Sequence, residues 1–78
     1  MIPVYAFVEG DTLGLLVLAQ EPETVAALTE RIQGAASVRV RRFASASLRH
    51  RDRTLDPRDR VGDSGIAPLD RLDVVRQS

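Results

Sequence analysis

The chain has 78 residues, of which 44% are hydrophobic and 28% charged, with no cysteine and a formal net charge of zero. So short a chain has little core to divide, so we expect a single domain over residues 1–78. The lack of cysteine excludes disulfides, a thiolate nucleophile and cysteine-ligated zinc. No apolar run reaches the roughly 18 residues that span a bilayer, and the N-terminus lacks a secretory signal pattern, so we expect a cytoplasmic protein without a membrane partner.

The first elements predicted by the sequence form a hairpin. Residues 3–8 are apolar, partly β-branched and aromatic, which is typical of a strand. Residues 9–12 (EGDT) have the composition of a hairpin turn, and residues 13–19 are again apolar and of strand length. Gly14 weakens this second strand and indicates a bulge.

A helix is predicted next. Thr24 is a good N-cap residue, and Val25, Leu28 and Ile32 recur at the spacing of one helical face. Gly34 is expected to end the helix. Because only one apolar stripe is present, the helix should lie across one face of a sheet.

Two further strands are predicted from alternation. Val38 and Val40 alternate with Arg39 and Arg41, which predicts a half-buried strand with its arginines outward. Either a bulge or the strand end is expected near Arg42, and would return Phe43 to the core.

The region from residue 44 onward is predicted to hold the remaining strands. Residues 44–53 are mostly polar and are predicted to hold only a loop and a short edge strand, whereas residues 69–75 predict the last strand. The predicted order, β, β, α, β, short β, β, is that of the β-grasp. We therefore predict an α+β fold with a mixed sheet of four to five strands and one helix packed across one face.

Catalytic groups are scarce. His50 is the only imidazole and lies in a polar stretch, so the simplest interpretation is a solvated loop histidine; a pairing with Asp52 is the alternative. One histidine and no cysteine make a transition-metal site improbable, and no phosphate-binding glycine motif is present. We expect no catalytic residue, no metal and no cofactor in this chain.

Charge is segregated along the chain. All 11 basic residues are arginines, and residues 39–60 hold eight of them against three aspartates. Such a cluster suits nucleic acid, a protein-docking face or plain solvent exposure. Nucleic acid is the weaker alternative because Phe43 is the only aromatic residue there that could stack on a base.

The hairpin is apolar on both faces, although a sheet covered by one helix should have one polar face. Either neighbouring loops bury the second face, or it is an exposed docking surface. We favour docking, through the residues of one face together with two of the arginines. The predicted set is Tyr5, Phe7, Leu16, Leu18, Arg39 and Arg41.

Several segments resemble ubiquitin in the same order: GDT at 10–12, EPETV at 21–25, RIQ at 31–33 and RTLDPRD at 53–59. The resemblance implies a ubiquitin-like β-grasp. Ubiquitin-like modifiers need a C-terminal Gly-Gly, whereas this chain ends Val75-Arg76-Gln77-Ser78 and has no lysine. No covalent conjugation is therefore expected.

A second resemblance is to the small B component of bacterial toluene monooxygenase systems. It rests on matching residues in the same order and spacing over nearly the whole chain. These are Pro3, Val4 and Ala6, then Glu9, Asp11, Leu13, Leu16 and Val17, VRVR at 38–41, Ser64, Gly65, Ile66 and Pro68, and Asp73, Val74 and Val75. The resemblance implies a non-catalytic accessory subunit that docks on a larger hydroxylase subunit, which would hold the diiron centre. The alternatives are a ubiquitin-like scaffold of a type VII secretion system and, less favoured, an RNA-binding module.

Overall fold

The computed structural model describes residues 1–77, in which five strands and one α-helix alternate with short connections. Their bounds are β1 Ile2–Val8, β2 Leu15–Ala19, α1 Val25–Ala36, β3 Ala46–His50, β4 Arg53–Thr54 and β5 Arg71–Arg76, with a 3₁₀ turn at Val61–Asp63. The spatial order of the strands is β2-β1-β5-β3-β4. β1 and β5 pair in parallel at the centre and the other pairs are antiparallel. This topology confirms the predicted β-grasp.

The core lies between α1 and one face of the sheet. Alternate residues of β1 point toward the helix because side chains alternate along a strand. Leu28 and Ile32 of α1 meet Leu72 and Val74 of β5 there, and all four are fully buried. The core is aliphatic, as its composition predicts.

The helix begins where the sequence predicts. The Oγ1 atom of Thr24 accepts a hydrogen bond from the Ala27 backbone N–H at 3.1 Å, which satisfies one of the free donors of the first turn. We expect Thr24→Ala to lower the free energy of unfolding by about 1 kcal/mol. Urea denaturation checks this value, with Thr24→Ser as the control that keeps the cap; equal losses in both variants would contradict it.

The predicted helix end at Gly34 is wrong. The helix continues to Ala36, and Gly34 lies within it, where the Arg42 guanidinium approaches so closely that a Cβ would lie 2.9 Å from its Nη2 atom. The glycine thus allows a close contact and does not terminate the helix.

The predicted strand at Val38–Arg41 is also wrong. The N–H groups of Arg39 and Val40 both donate to the Ala36 carbonyl, so this segment turns away from the helix end and joins no sheet. Val38 is 84% exposed. Phe43 packs against the core from the irregular segment that follows, and its N–H donates to the Gln33 side chain at 2.8 Å.

The third strand lies in the segment that was predicted to be mainly loop. In β3 the residues Ala46, Leu48 and His50 point toward the helix side, and Leu48 is fully buried. Arg51 and Asp52, both with positive φ, make the tight turn to β4. Such a turn matches the twist of two paired strands, although glycine or asparagine usually fills it.

Candidate functional site

The sheet face opposite the helix carries an unusual share of apolar surface. Tyr5 of β1 lies beside Leu16 of β2, and Pro3 lies beside Leu18. The exposed fraction is 46% for Tyr5, 63% for Leu16 and 46% for Leu18. We call this surface, with the outward side chains of β5 and β3, the open face. Its residues are Pro3, Tyr5, Phe7, Leu16, Leu18, Ser47, Arg49, Arg71, Asp73 and Val75.

The middle of the open face is built around the Phe7 ring. The ring covers Gly14, whose Cβ, if present, would lie 2.7 Å from the Phe7 Cζ atom. The Arg71 guanidinium lies 4.1 Å from the ring centroid and also pairs with Asp73 at 3.0 Å. Because Gly14 has no side chain, the Phe7 ring can lie against its backbone. This contact, and not the predicted bulge, accounts for the glycine. A cation over an aromatic face is held in a defined orientation.

Arg49 of β3 lies across from Asp73 on the same face. Its guanidinium donates to the Asp52 backbone carbonyl at 3.1 Å. Within residues 1–77 it makes no ion pair. Neither Arg49 nor Arg71 stands out in the sequence, because only the register of β5 against β1 and β3 brings them to this face.

The two predicted docking arginines are not on a strand. Arg39 lies beside the turn between β1 and β2, where its Nη2 atom is 2.8 Å from Asp11 Oδ2. Its hydrogen bond lowers the pKa of the Asp11 carboxyl. Arg41 is exposed in the irregular segment after the helix. The structure therefore brings together Tyr5, Phe7, Leu16 and Leu18, but places neither arginine among them.

His50 is not the solvated loop histidine that its polar surroundings predicted. It is only 3% exposed, and its Nε2 atom lies 2.8 Å from Asp70 Oδ2. An ionised carboxylate can only accept, so Nε2 carries the proton. The partner is also not Asp52, the alternative drawn from the sequence. Because the two residues are 20 positions apart in the chain, no local sequence pattern indicates the pair.

Asp70 makes hydrogen bonds to residues of β3 and of β1, the two strands that flank β5. Its Oδ2 accepts from the Ala67 N–H at 2.9 Å, and its backbone carbonyl accepts from the Tyr5 N–H at 2.9 Å. The hydrogen bond from Ala67, followed by that from His50, lowers the pKa of Asp70 below its ordinary 3.8. The carboxylate thus stabilises the connection that leads into β5.

This pKa shift predicts a pH dependence of stability. A carboxyl whose pKa is depressed in the folded state stabilises that state above its ordinary pKa, and the stabilisation is lost as the pH falls through the folded value. We expect Asp70→Asn to melt at a lower temperature than the wild type at pH 7, with a difference that shrinks below about pH 4. Circular dichroism melts between these pH values test it; a constant difference down to about pH 2 would contradict the assignment.

Chemical sites of other kinds are sparse in the part of the chain that the structure describes. There, no three His, Cys, Asp or Glu side chains are grouped so as to hold a metal ion. A cavity of about 190 Å³ lies between α1 and β3, with Thr29, Gln33, Phe43 and Leu48 among its lining residues. It is smaller than the roughly 300 Å³ at which ligand sites usually begin. More open grooves are larger: one of about 360 Å³ lies on the open face beside Phe7, Arg49 and Asp73, and one of about 410 Å³ lies beside His50 and Asp70. No helix within residues 1–77 is long and apolar enough to cross a membrane.

Half of the arginine cluster is neutralised internally. Of the eight arginines in residues 39–60, four pair with carboxylates of the chain: Arg39 with Asp11, Arg42 with Glu30, Arg51 with Asp70 and Arg58 with Asp56. Phosphate binding needs unpaired cations along one track. The cluster is thus a weaker candidate for nucleic acid than its composition suggested.

Comparisons with known proteins give a family and a fold. Residues 1–75 match the family model described as toluene-4-monooxygenase system protein B. The chain is similar to one chain of a toluene 4-monooxygenase HD complex with the inhibitor 4-bromobenzoate, at 22% identity and a TM-score of 0.89, with 97% of this chain and 98% of that chain covered. It is also similar to Caldiarchaeum subterraneum ubiquitin, at 14% identity and a TM-score of 0.78, with 99% and 94% covered. No curated protein sequence matches the chain.

Proposed function

The chain belongs to the toluene-4-monooxygenase system protein B family, and from this membership we propose that it is a small accessory subunit of a multicomponent monooxygenase. It acts by docking on the hydroxylase of that system. The proposal is supported by the family match over residues 1–75 and by the similarity, over nearly the whole of both chains, to a chain of a toluene 4-monooxygenase complex.

The open face is the docking surface in this proposal. Three large side chains, Tyr5, Leu16 and Leu18, are each about half exposed or more and lie next to one another on two strands. Contiguous apolar surface of this kind on a small protein usually marks an interaction site, and tyrosine and arginine are enriched at the centres of interfaces. Arg39 and Arg41 contribute at most from outside the sheet, because both lie in the segment between α1 and β3 and neither is on a strand.

The subunit itself is non-catalytic in this proposal. The single imidazole, His50, is buried and engaged by Asp70, and the carboxylates within residues 1–77 form no metal-binding group. In this proposal the diiron centre expected from the family resemblance is held by the partner hydroxylase. We place the complex in the cytoplasm of a bacterium.

The alternatives have less support. A scaffold of a type VII secretion system would share the fold, but the family match points to a monooxygenase. An RNA-binding module would need unpaired cations and stacking aromatic residues, whereas half of the arginines in the cluster are paired with carboxylates and Phe43 is its one aromatic residue.

The test is a pull-down of the tagged chain from its native host, at low and moderate salt, with the recovered proteins identified by mass spectrometry. We expect the hydroxylase subunits of a monooxygenase. Recovery of secretion components, or of RNA that is released steeply as salt rises, would contradict the proposal.

A further inference from the structure

The open face has two halves of different chemistry. The half on β1 and β2 is apolar and exposes Tyr5, Leu16 and Leu18. The half on β5 and β3 carries Arg71, Asp73 and Arg49. Neighbouring strands lie about 4.8 Å apart, so β2 and β3 are separated by roughly 14 Å. A single partner surface can therefore contact both halves.

The charges of the second half do not cancel. Arg71 and Asp73 pair at 3.0 Å and neutralise one another. Arg49 keeps only the Asp52 backbone carbonyl, at 3.1 Å. In the hairpin of residues 49–53, Arg51 pairs with Asp70 and Arg53 donates to the Ser64 carbonyl on the other side of the sheet. Within residues 1–77, Arg49 is therefore the cation of this corner that no carboxylate neutralises. An arginine covered by a purely apolar surface would lose its water without gaining a partner, which is unfavourable.

Resting on the proposed function, we infer that the hydroxylase surface that covers the open face is apolar opposite β1 and β2 and presents a carboxylate opposite Arg49. The planar guanidinium accommodates a carboxylate through two parallel hydrogen bonds, so the pair also fixes the orientation of the docked subunit. The apolar half contributes most of the buried area, and the pair formed by Arg49 fixes the position at which the subunit docks.

A second copy of the chain fits this face poorly. Its own open face offers one carboxylate, Asp73, which Arg71 already engages. A face-to-face pair of copies would therefore bring two Arg49 corners to the interface, and the carboxylate beside each, that of Asp52, lies in the turn after β3 and not on the strands of the face. An interface of standard size covers about 800 Å² on each partner, roughly a sixth of the 4867 Å² of surface of this chain. A single partner surface of this size, apolar with one carboxylate near its edge, can therefore cover the open face.

The test measures the affinity of the chain for purified hydroxylase that lacks this subunit, at low and moderate salt. The variants are Arg49→Glu and the milder Arg49→Gln. The matched control is Arg60→Glu, because Arg60 also donates only to a backbone carbonyl, that of Pro22, but lies outside the open face. We expect Arg49→Glu to weaken binding about tenfold or more, Arg49→Gln by roughly threefold, and the control by less than about twofold.

The salt dependence gives a second readout, since the effect of Arg49→Glu should shrink as salt rises. Circular dichroism spectra establish that each variant is folded. If wild-type chain binds and Arg49→Glu binds like the Arg60→Glu control, the acidic partner site is overturned while the docking function stands. If the wild-type chain itself does not bind the hydroxylase, the proposed docking function and the acidic partner site are both contradicted.

Discussion

Leu16→Glu is expected to leave the domain folded and to weaken its binding to the hydroxylase by about 30-fold or more. Leu16 is 63% exposed at the middle of the apolar half of the open face, beside Tyr5. A carboxylate placed there would be buried in the complex without a partner, and central interface residues commonly account for about 2 kcal/mol or more of binding free energy. Titration calorimetry against purified hydroxylase measures the loss.

Val38→Glu is the matched control for this substitution. Val38 is another exposed aliphatic residue, at 84%, but it lies in the turn after α1 and not on the sheet. Both variants should keep the melting temperature close to that of the wild type, because exposed positions usually change stability by about 0.5 kcal/mol or less. Equal affinities for the two variants would show that the open face is not the docking surface.

Leu72→Ala is expected to have the largest effect on stability. Leu72 is fully buried on the central strand β5, where it pairs with Ala6 and faces the helix. Truncating a buried leucine costs about 2 to 5 kcal/mol, because it removes apolar contacts and leaves a cavity. A domain of this length has only roughly 4 to 12 kcal/mol of stability, so much of it would be lost. Urea denaturation followed by circular dichroism measures the change.

Leu13→Ala supplies the comparison for the core substitution. Leu13 has the same side chain, but it is 56% exposed in the connection before β2. Its truncation should cost less than about 0.5 kcal/mol. A loss at Leu72 no larger than that at Leu13 would contradict the assignment of the core.

The hairpin and the last strand could be predicted from the sequence because their alternation reflects burial directly. Along β1, Val4 and Ala6 are buried while Tyr5 between them is exposed, as a period of two requires. The alternation of Val38 and Val40 is equally regular but has no sheet partner, because the helix runs on to Ala36 and its end turns that segment away. Local alternation alone cannot distinguish the two cases.

The third strand was predicted only as a short edge strand, although β3 lies inside the sheet, because one of its inward positions holds a histidine. His50 can be buried there because Asp70, which directly precedes β5, accepts its hydrogen bond. In the same way, the apolar half of the candidate site could be predicted from the hairpin, whereas Arg49 and Arg71 reach it through the pairing of β3 with β5 and of β5 with β1. These contacts join residues far apart in the chain, and no local pattern encodes them.

Methyl NMR of leucine- and valine-labelled chain, recorded before and after addition of the purified hydroxylase, tests the docking claim most directly. We expect the methyl signals of Leu16 and Leu18 to lose intensity or shift on binding, while those of Val38 stay unchanged. Unchanged Leu16 and Leu18 signals in a sample where the complex has formed would contradict docking through the open face.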